Sequence, residues 1–281
     1  SKDEAELYRQ AIQIFDWKAE LKSQTLEFVA SNMIHQMNLG LFQGEGLGGL
    51  MSAMSMVLHE KRQSDGSIHV PKMLADLLEE GFSTTQNLVK SLQEAQRILQ
   101  IDATPLDVVT LGDLHKMTLT AVEELKSDPD KKKQRIIVSE NQYGDDKVRI
   151  DTKLFPKVLA ELLVNAMKYG PFDDEIYILV MLKDRHLEWK ILNGEPADQP
   201  EKRRITGNLE YLVFEPFFRL HTTVDEGYSA EEFPLGLGLP VSKKIVELCG
   251  GSIFVNRVES HIKTRQEADV CFTIRLPLVN G

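Results

Sequence analysis

The fold is decided by one stretch near the middle of the chain, DTKLFPKVLAELLVNAMKY, residues 151–169. Its apolar side chains recur every four residues, which is typical of a helix with one buried face; they are Leu154, Val158, Leu162 and Ala166. Glu161, Asn165 and Lys168 follow one another at i, i+4 and i+7, so they share a second face of that helix. The stretch therefore predicts a helix over residues 152–169 with one apolar and one polar side.

The polar side of this helix combines a carboxylate, an amide and an ammonium group. The amide oxygen of Asn165 is a ligand type that a hard cation accepts, and the ammonium of Lys168 can meet a phosphate oxygen. The set therefore suits a site for Mg²⁺ and phosphate. A solvated polar face has the same spacing, and spacing alone favours neither interpretation.

A second glycine-containing stretch is PLGLGLPVSKKIVELCGG, residues 234–251. Gly236 and Gly238 precede a helix that is predicted to start near Pro240 and to stop at Gly250–Gly251. Glycine allows the backbone to approach a ligand closely, and the free N–H groups at a helix start receive phosphate. A lone Gly-x-Gly pair is also ordinary helix punctuation, so by itself it is weak evidence.

The first hundred residues predict helices and almost no strand. Residues 3–60 form one predicted helix whose coiled-coil seam has one position at Ile12, Ala19, Leu26 and Met33, and another at Tyr8, Phe15 and Val29, interrupted by Lys22. A turn at Gln63–Ser67 leads to a second helix from about Pro71 to about Gln100. Two antiparallel helices with apolar faces on two sides need a partner, so a dimeric four-helix bundle is predicted.

The pattern changes near residues 101–105, which predicts two domains, residues 1–103 and 104–281. The second domain alternates short strands and helices. After a helix at Leu111–Leu125, the predicted strands are Arg135–Ser139, Lys147–Ile150, Glu175–Leu182, His186–Leu192, Ser252–Val258 and Asp269–Leu276, with a further helix at about 241–249. The predicted fold class is α+β: a helical hairpin followed by an α/β sandwich, one sheet with helices on one side.

Composition excludes several classes of partner and site. The chain has 281 residues and a net charge of −10, which argues against nucleic acid or an anionic membrane as the main partner. No apolar run reaches the ~18 residues that cross a bilayer. The two cysteines, Cys249 and Cys271, lie in apolar surroundings and are predicted to be buried thiols of a reducing compartment. The helical start without Met suggests a fragment of a longer protein.

Three segments together resemble the ATP-binding domain of sensor histidine kinases. This family belongs to a superfamily that includes type II topoisomerases and mismatch-repair ATPases. ELLVNAMKY, residues 161–169, resembles the family's N box; FEPFFR, residues 214–219, resembles its F box; and LGLGL, residues 235–239, resembles its second glycine box. The three segments occur in the family's order between about residue 105 and the end.

The resemblance implies ATP and Mg²⁺ as cofactors and assigns roles to residues. Asn165 would ligate Mg²⁺, Glu161 would polarise a water or ligand beside it, and Lys168 and Tyr169 would contact phosphate or ribose. The segment Leu220–Phe233 would be a mobile lid. The other residues that the boxes place at the nucleotide are Phe214, Arg219, Gly236, Leu237, Gly238 and Leu239.

Two positions depart from the family pattern. The first glycine box usually supplies an Asp that reads the adenine amino group, whereas Ile191–Pro196 offers Asn193 with the spacing one residue short. An Asn carbonyl accepts a hydrogen bond from adenine N6, but less strongly than a carboxylate does. The second glycine box has Pro234 where a first glycine is common. Together these changes predict an affinity loss of ~1–3 kcal/mol.

The phosphoacceptor is expected on the first helix. EFVASNMIHQMN, residues 27–38, resembles the family's acceptor region and gives His35 as the phosphorylated residue. His35 lies two residues past the seam residue Met33 and would face solvent. It also continues a second heptad stripe, which would bury it partly; that stripe is Leu7, Ile14, Leu21 and Phe28. His59 and His69 are less favoured because they lie near the turn.

The residues after His35 depart from the family as well. Gln36 stands where an acidic base is usual, and Asn38 can position a water for dephosphorylating a partner. Glycines then crowd the helix, at ~1 kcal/mol each relative to alanine; they are Gly40, Gly44, Gly46, Gly48 and Gly49. They predict a hinge, close helix packing, or both.

The favoured function is a protein-histidine kinase core that forms a homodimer through the hairpin. It would phosphorylate His35 from ATP and pass the phosphoryl group to an aspartate of a response regulator receiver domain. We expect it in the cytoplasm, alone or as the cytoplasmic part of a larger sensor. The alternative is a catalytically weak or phosphatase-biased relative that acts as a nucleotide- or regulator-binding module. A topoisomerase-type or mismatch-repair-type ATPase is a remote third interpretation.

Overall fold

A computed structural model describes residues 47–60, 62–125, 132–139, 145–195, 204–207, 209–220, 232–259 and 268–279. The chain divides into two compact units, Ser1–Thr85 and Gln86–Gly281. The first is called the hairpin unit below and the second the C-terminal unit. The predicted domain boundary at residue 103 stays a prediction.

The described part of the hairpin unit contains two helices and the turn between them. Helix α1 is Leu47–His59, and helix α2 is Lys72–Gln100, which begins in this unit. Their close approach depends on Gly81, because a Cβ there would lie 3.1 Å from Leu50 Cα. The first 46 residues of the chain, with the predicted seam, lie outside the described residues.

The turn between α1 and α2 confirms the prediction at Gln63–Ser67. The N–H of Gln63 donates to the carbonyl of Ser67 over 2.8 Å. Asp65 accepts hydrogen bonds from both the N–H and the hydroxyl of Ser67. Gly66 has φ 82°, a left-handed conformation that glycine adopts without strain.

The C-terminal unit contains a two-stranded and a five-stranded sheet. In chain order its elements are β1 Asp107–Thr110, α3 Leu111–Leu125, β2 Arg135–Val138, β3 Lys147–Ile150, α4 Phe155–Tyr169, β4 Glu175–Lys183, β5 His186–Gly194, α5 Leu209–Leu212, α6 Gly238–Leu248, β6 Ser252–Glu259 and β7 Ala268–Pro277. The larger sheet has the order β2-β4-β5-β7-β6, and β1 pairs with β3. Strand β2 runs parallel to β4, and the other neighbours are antiparallel.

The core lies between one face of the large sheet and the helices. Buried and half-buried residues alternate over the first six positions of β4, as the period of a strand requires, and Leu187, Trp189 and Ile191 of β5 are fully buried. Trp189 donates its indole N–H to the Thr118 hydroxyl of α3 over 3.1 Å. Helices α3, α4 and α6 contribute to the same core. This arrangement confirms the predicted α+β class.

The last turns of α2 belong to this core as well. Ala95 and Ile98 have 1% and 0% of their surfaces exposed and pack in the cluster that the sheet and the helices share. Thr104, just after the helix, donates its hydroxyl to the carboxylate of Asp151 at the start of the α4 region. The second half of α2 is therefore part of the C-terminal unit's packing.

Several element boundaries differ from the predictions. Strand β1 and the short helix α5 were not predicted. Helix α4 begins at Phe155 rather than residue 152, because the Asp151 carboxylate accepts the N–H groups of Lys153 and Leu154 in a preceding turn. Helix α6 begins earlier than predicted, at Gly238. None of the helices that the structure describes has the length and hydrophobicity needed to span a bilayer.

Candidate functional site

One pocket in the C-terminal unit, called the main pocket below, is lined by most of the residues predicted for the site. Of those residues, the ones that line it are Glu161, Asn165, Tyr169, Asn193, Arg219, Gly236, Gly238 and Leu239. Its other walls are Gly194, Ile205, Val213, Phe218, Leu220, Phe233, Val270 and Phe272. A concave site with apolar walls and a few converging polar groups is typical of a small-molecule site.

Helix α4 supplies two polar side chains that are bonded to each other. Asn165 donates its amide Nδ2–H to Glu161 Oε1 over 3.1 Å, across one helical turn. Because the nitrogen faces Glu161, the amide oxygen Oδ1 of Asn165 is turned away from that carboxylate. Glu161 itself is 7% exposed. The pair therefore presents a neutral, oriented oxygen beside a buried acid.

The carboxylate of Glu161 also lies against the first residue of α6. A Cβ added to Gly238 would overlap all three atoms of that carboxylate group. Only glycine leaves room there, so α4 and α6 can bring the acid to the N-terminal end of α6. A helix N-terminus with free N–H groups favours anions. The place where the sequence predicted phosphate binding is thus built around Glu161.

Gly236 is required for a different reason. Its φ is 75°, and a Cβ there would lie 2.8 Å from the carbonyl oxygen of Phe218. The Gly236 carbonyl accepts the N–H of Phe217 over 3.1 Å. The FEPFFR segment and the glycine segment are therefore joined through their backbones. Phe217 and Leu235 have positive φ angles of 64° and 65°, which cost a non-glycine residue about 1 kcal/mol or more each.

Asn193 lines the main pocket from strand β5. It is 3% exposed, and its Nδ2 donates to the Gly194 carbonyl over 3.1 Å. The Gly194 N–H donates to Asp174 Oδ2 over 2.9 Å, and a Cβ on Gly194 would overlap that carboxylate. Asp174, a buried acid from the α4–β4 loop, therefore holds the backbone of Gly194, to which the Asn193 side chain is bonded.

Three predicted nucleotide contacts lie elsewhere in the structure. Phe214 and Leu237 are in the hydrophobic core, and Phe214 meets the ring of Phe272 edge to face with 6.3 Å between centroids. Lys168 is 6% exposed, and its ammonium lies 5.9 Å from the centre of the Tyr169 ring. None of the three is among the lining residues of the main pocket that the structure describes.

Other predicted residues lie outside the part of the chain that the structure describes. His35, Gln36 and Asn38 precede the first described residue, as do Gly40, Gly44 and Gly46. Gly48 and Gly49 lie in the first turn of α1. Of the predicted lid, residues 221–231 are outside, and its two end residues, Leu220 and Phe233, line the main pocket.

Four of the apolar residues that line the main pocket were not predicted as site residues; they are Ile205, Val213, Val270 and Phe272. Val270 and Phe272 are inward-facing residues of β7, and nothing in their spacing separates them from ordinary core positions. Ile205 and Val213 lie in an irregular segment and in the turn after α5. The only usable signal was position, since Val213 directly precedes the FEPFFR segment.

Asp151, Cys249 and Cys271 are groups of this unit whose pKa values are shifted. Burial opposes the ionisation of Asp151, but hydrogen bonds from the Thr104 hydroxyl and from the N–H groups of Leu154 and Lys153 outweigh it and hold its pKa below the usual value. Cys249 and Cys271 are free, buried thiols, as predicted. Burial raises the pKa of both thiols, so both are protonated and unreactive at neutral pH.

The chain is similar to known proteins across this unit. Residues 150–280 match the family model of histidine kinase-, DNA gyrase B- and HSP90-like ATPases. The sensor histidine kinase YvrG of Bacillus subtilis (strain 168) is 28% identical over 204 residues, which are 72% of this chain and 32% of that protein. Sensor protein KdpD of Escherichia coli (strain K12) is 29% identical over 131 residues, 46% of this chain and 12% of that protein. The chain thus matches a third or less of each relative's length.

Two solved structures share the fold. The Acinetobacter baumannii histidine kinase AdeS superposes with a TM-score of 0.51 and 18% identity, covering 82% of this chain and 94% of that one. Full-length ShkA, crystallised in complex with AMPPNP, superposes with a TM-score of 0.53 and 16% identity, covering 90% of this chain and 46% of that one.

The family match covers α4, the main pocket and α6, which are the elements that carry the resemblance in sequence. Both curated relatives are named as sensor proteins. Residues 150–280 therefore match the ATPase family that includes histidine kinases, DNA gyrase B and HSP90, and over this region the chain is similar to sensor histidine kinases.

Proposed function

We propose that the chain is a kinase core that binds Mg²⁺-ATP in the main pocket and phosphorylates His35. The observation that carries the proposal is the buried Glu161 carboxylate, which bonds to Asn165 and lies against Gly238 at the start of α6. This arrangement puts an amide oxygen, a carboxylate and a helix N-terminus together in a pocket that Asn193 also lines.

The side chains at the α4 end fit a hard divalent cation. Asn165 Oδ1 would be its protein ligand, because Nδ2 is engaged by Glu161, and an amide oxygen suits Mg²⁺. Mg²⁺ bound with ATP neutralises charge on the phosphate oxygens. Glu161 would orient a water or the attacking group, and the α6 N-terminus would hold phosphate. Tyr169 and Arg219, which line the pocket, would contact phosphate or ribose, with the ammonium of Lys168 beside the Tyr169 ring. Asn193 would meet the adenine.

The proposed reaction uses this pocket for ATP and His35 as the nucleophile. An imidazole nitrogen of His35 attacks the γ-phosphorus, the bond to the β-phosphate oxygen breaks, and ADP leaves. Catalysis rests on alignment of His35 with the γ-phosphate and on neutralisation of charge. The phosphoryl group then moves from His35 to an aspartate of a response regulator receiver domain.

We also propose a homodimer through residues 1–103, with residues 104–281 as the catalytic domain. Exposed apolar side chains along α1 and the first half of α2 support this dimer; they are Met51, Met54, Met56, Leu58, Met73, Leu77 and Phe82. The cytoplasm is the compartment that we propose, since it supplies ATP and keeps thiols such as Cys249 and Cys271 reduced.

Labelling with [γ-³²P]ATP tests the kinase proposal. Wild type should acquire a label that survives base and is lost in acid, as a phosphohistidine does. His35→Gln should abolish the label while ATP still binds, and Asn165→Ala should abolish labelling by removing the Mg²⁺ ligand. Persistent label in His35→Gln would contradict the assignment of His35, and no label in wild type would contradict kinase activity.

A second candidate is a phosphatase-biased or catalytically weak relative. Three residues favour this candidate. Asn193 is a neutral amide where the family has an acid that reads adenine, Gln36 stands in place of an acidic base, and Asn38 can position a water. In this case the chain would bind a phosphorylated receiver domain and remove its phosphoryl group. Incubating wild type and Asn38→Ala with a phosphorylated receiver domain, without ATP, separates the two candidates by the rate of phosphate release.

A further inference from the structure

The sheet contributes four residues to the main pocket, and Asn193 is the polar side chain among them. The other three are Gly194, Val270 and Phe272. Asn193 pairs with Val270 across strands β5 and β7. With 3% of its surface exposed, its amide is almost fully shielded from bulk water, so its remaining hydrogen-bonding groups can be satisfied by a ligand.

The orientation of the Asn193 amide is set by its neighbours. One Nδ2–H donates to the Gly194 carbonyl. The carbonyl of Gly194 and the N–H of Glu195 belong to the same peptide group. This N–H donates to the carbonyl of Ala268 over 3.1 Å. The preceding peptide is held by Asp174 through the Gly194 N–H. Among the residues that the structure describes, Oδ1 of Asn193 accepts no hydrogen bond. The amide therefore offers the pocket one acceptor and one remaining N–H donor.

An amide and a carboxylate discriminate differently between purines. At position 6 adenine carries an amino group, a donor, and guanine and hypoxanthine carry an oxygen, an acceptor. A carboxylate only accepts, so it bonds to the amino group and is repelled by the oxygen. An amide bonds to the amino group through Oδ1 or to the oxygen through its free N–H. At N1, adenine has an acceptor, whereas guanine and hypoxanthine have an N–H donor. An amide has both a donor and an acceptor, so it can match N1 of either kind of base.

We propose that the main pocket accepts 6-oxopurine nucleoside triphosphates as well as 6-aminopurine ones, and that Asn193 is the residue that sets this specificity. The inference rests on the proposed function in that it assumes a purine nucleotide in this pocket, with its base at the β5 end. It is separate from the question of whether His35 is phosphorylated.

Calorimetric titration with non-hydrolysable analogues tests the inference. The full chain is titrated in Mg²⁺ with the imido analogues of ATP, GTP and ITP. For wild type, the dissociation constants for the adenine and guanine analogues should agree within about tenfold. The inosine analogue, which lacks the 2-amino group, should behave like the guanine analogue, because the contact is to the oxygen at position 6.

Two variants locate the effect. Asn193→Asp replaces the amide by an acceptor-only group and should raise the preference for the adenine analogue to about 100-fold. Asn165→Ala, on α4, removes the proposed Mg²⁺ ligand rather than the base contact, so it should weaken all three analogues alike and leave their ratio unchanged. Circular dichroism melting tests whether Asn193→Asp folds. If this variant does not fold, the wild-type ratio of the dissociation constants for the guanine and adenine analogues decides the specificity inference by itself.

The outcomes separate the two proposals. If wild type binds the adenine analogue but binds the guanine analogue at least 100-fold more weakly, the specificity inference is wrong and the proposed nucleotide site stands. If wild type binds none of the three analogues, both proposals fail. If the ratio is near one and does not change in Asn193→Asp, Asn193 is not the specificity residue.

Discussion

The hairpin unit and the C-terminal unit treat their apolar side chains in opposite ways. In the C-terminal unit, large residues such as Trp189 and Phe155 are fully buried. In the hairpin unit, Leu58 and Met73 are 72% and 74% exposed, and Phe82 is 59% exposed. One unit encloses its own core, whereas the described helices of the other present apolar faces that need a partner.

The difference separates two kinds of stability. A unit that buries its own core is stable independently of concentration, whereas a helical pair that relies on a second copy gains stability only as the protein associates. We therefore expect substitutions in the C-terminal unit to change its unfolding, and substitutions on the exposed faces of α1 and α2 to change association. Four predictions test this contrast.

The largest effect is expected from Phe155→Ala in the core. Phe155 is fully buried at the start of α4, and truncation of such a residue costs about 3–5 kcal/mol. Denaturant unfolding followed by the fluorescence of Trp189, in a Trp17→Phe background, measures the loss. The matched control is Phe172→Ala, because Phe172 is 65% exposed. Equal losses in both variants would contradict a self-contained core.

The tight packing of the core is expected to extend into the main pocket at Gly238. Gly238→Ala forces the Glu161 carboxylate to move, so affinity for the imido analogue of ATP should fall about 100-fold, or ~2.7 kcal/mol. Gly112→Ala is the control, since its Cβ would meet only the Thr110 hydroxyl at 3.7 Å. Unchanged affinity in Gly238→Ala, measured by calorimetry, would remove Glu161 and α6 from the binding site.

Association should change at Phe82. A carboxylate in an apolar interface is unfavourable, so Phe82→Asp should raise the dimer dissociation constant at least tenfold, or ~1.4 kcal/mol. Sedimentation equilibrium gives the constant. Phe172→Asp places the same charge at a similarly exposed Phe of the C-terminal unit and should have no effect. A monomeric wild type, or equal weakening by both variants, would break the comparison.

The smallest effect concerns pH. Because the folded-state pKa of Asp151 is lowered, its stabilisation is fully present above the unfolded pKa, near 3.9, and is lost as pH falls through the folded value. Asp151→Asn should cost the C-terminal unit about 1 kcal/mol at neutral pH. The gap between wild type and variant should narrow on acidification, as measured by unfolding at a series of pH values. A gap that stays constant down to acid pH would mean that the charge of Asp151 is not what stabilises the fold.

Local patterns predicted most of the fold and the parts of the site that lie on one element. The bounds of α3 and β3 agree with the prediction because their periodicity is complete within the segment. Strand β1 was missed because Asp107–Thr110 is short and half-exposed, and is a strand only through its pairing with β3. Long-range pairing of this kind leaves no local signal.

The residues of the site also fall into those that local patterns predict and those that depend on contacts distant in sequence. Glu161, Asn165 and Asn193 were found from motif and spacing, and all three line the main pocket. Phe214 and Leu237 share the motifs but point into the core, since a motif does not state which side of the chain meets the ligand. Asp174, which holds the Gly194 N–H, was not found because 20 residues separate the partners in sequence.

The contact between Glu161 and Gly238 has a consequence for how this sequence can vary. The acid fills the volume that any side chain at position 238 would need, so the two positions cannot change one at a time. A β-carbon at 238 requires a shorter residue at 161, and a shorter residue at 161 leaves a void that glycine does not fill. Related sequences should therefore keep both residues or replace both. In a combinatorial library at the two positions, surviving clones should show the same linked choice.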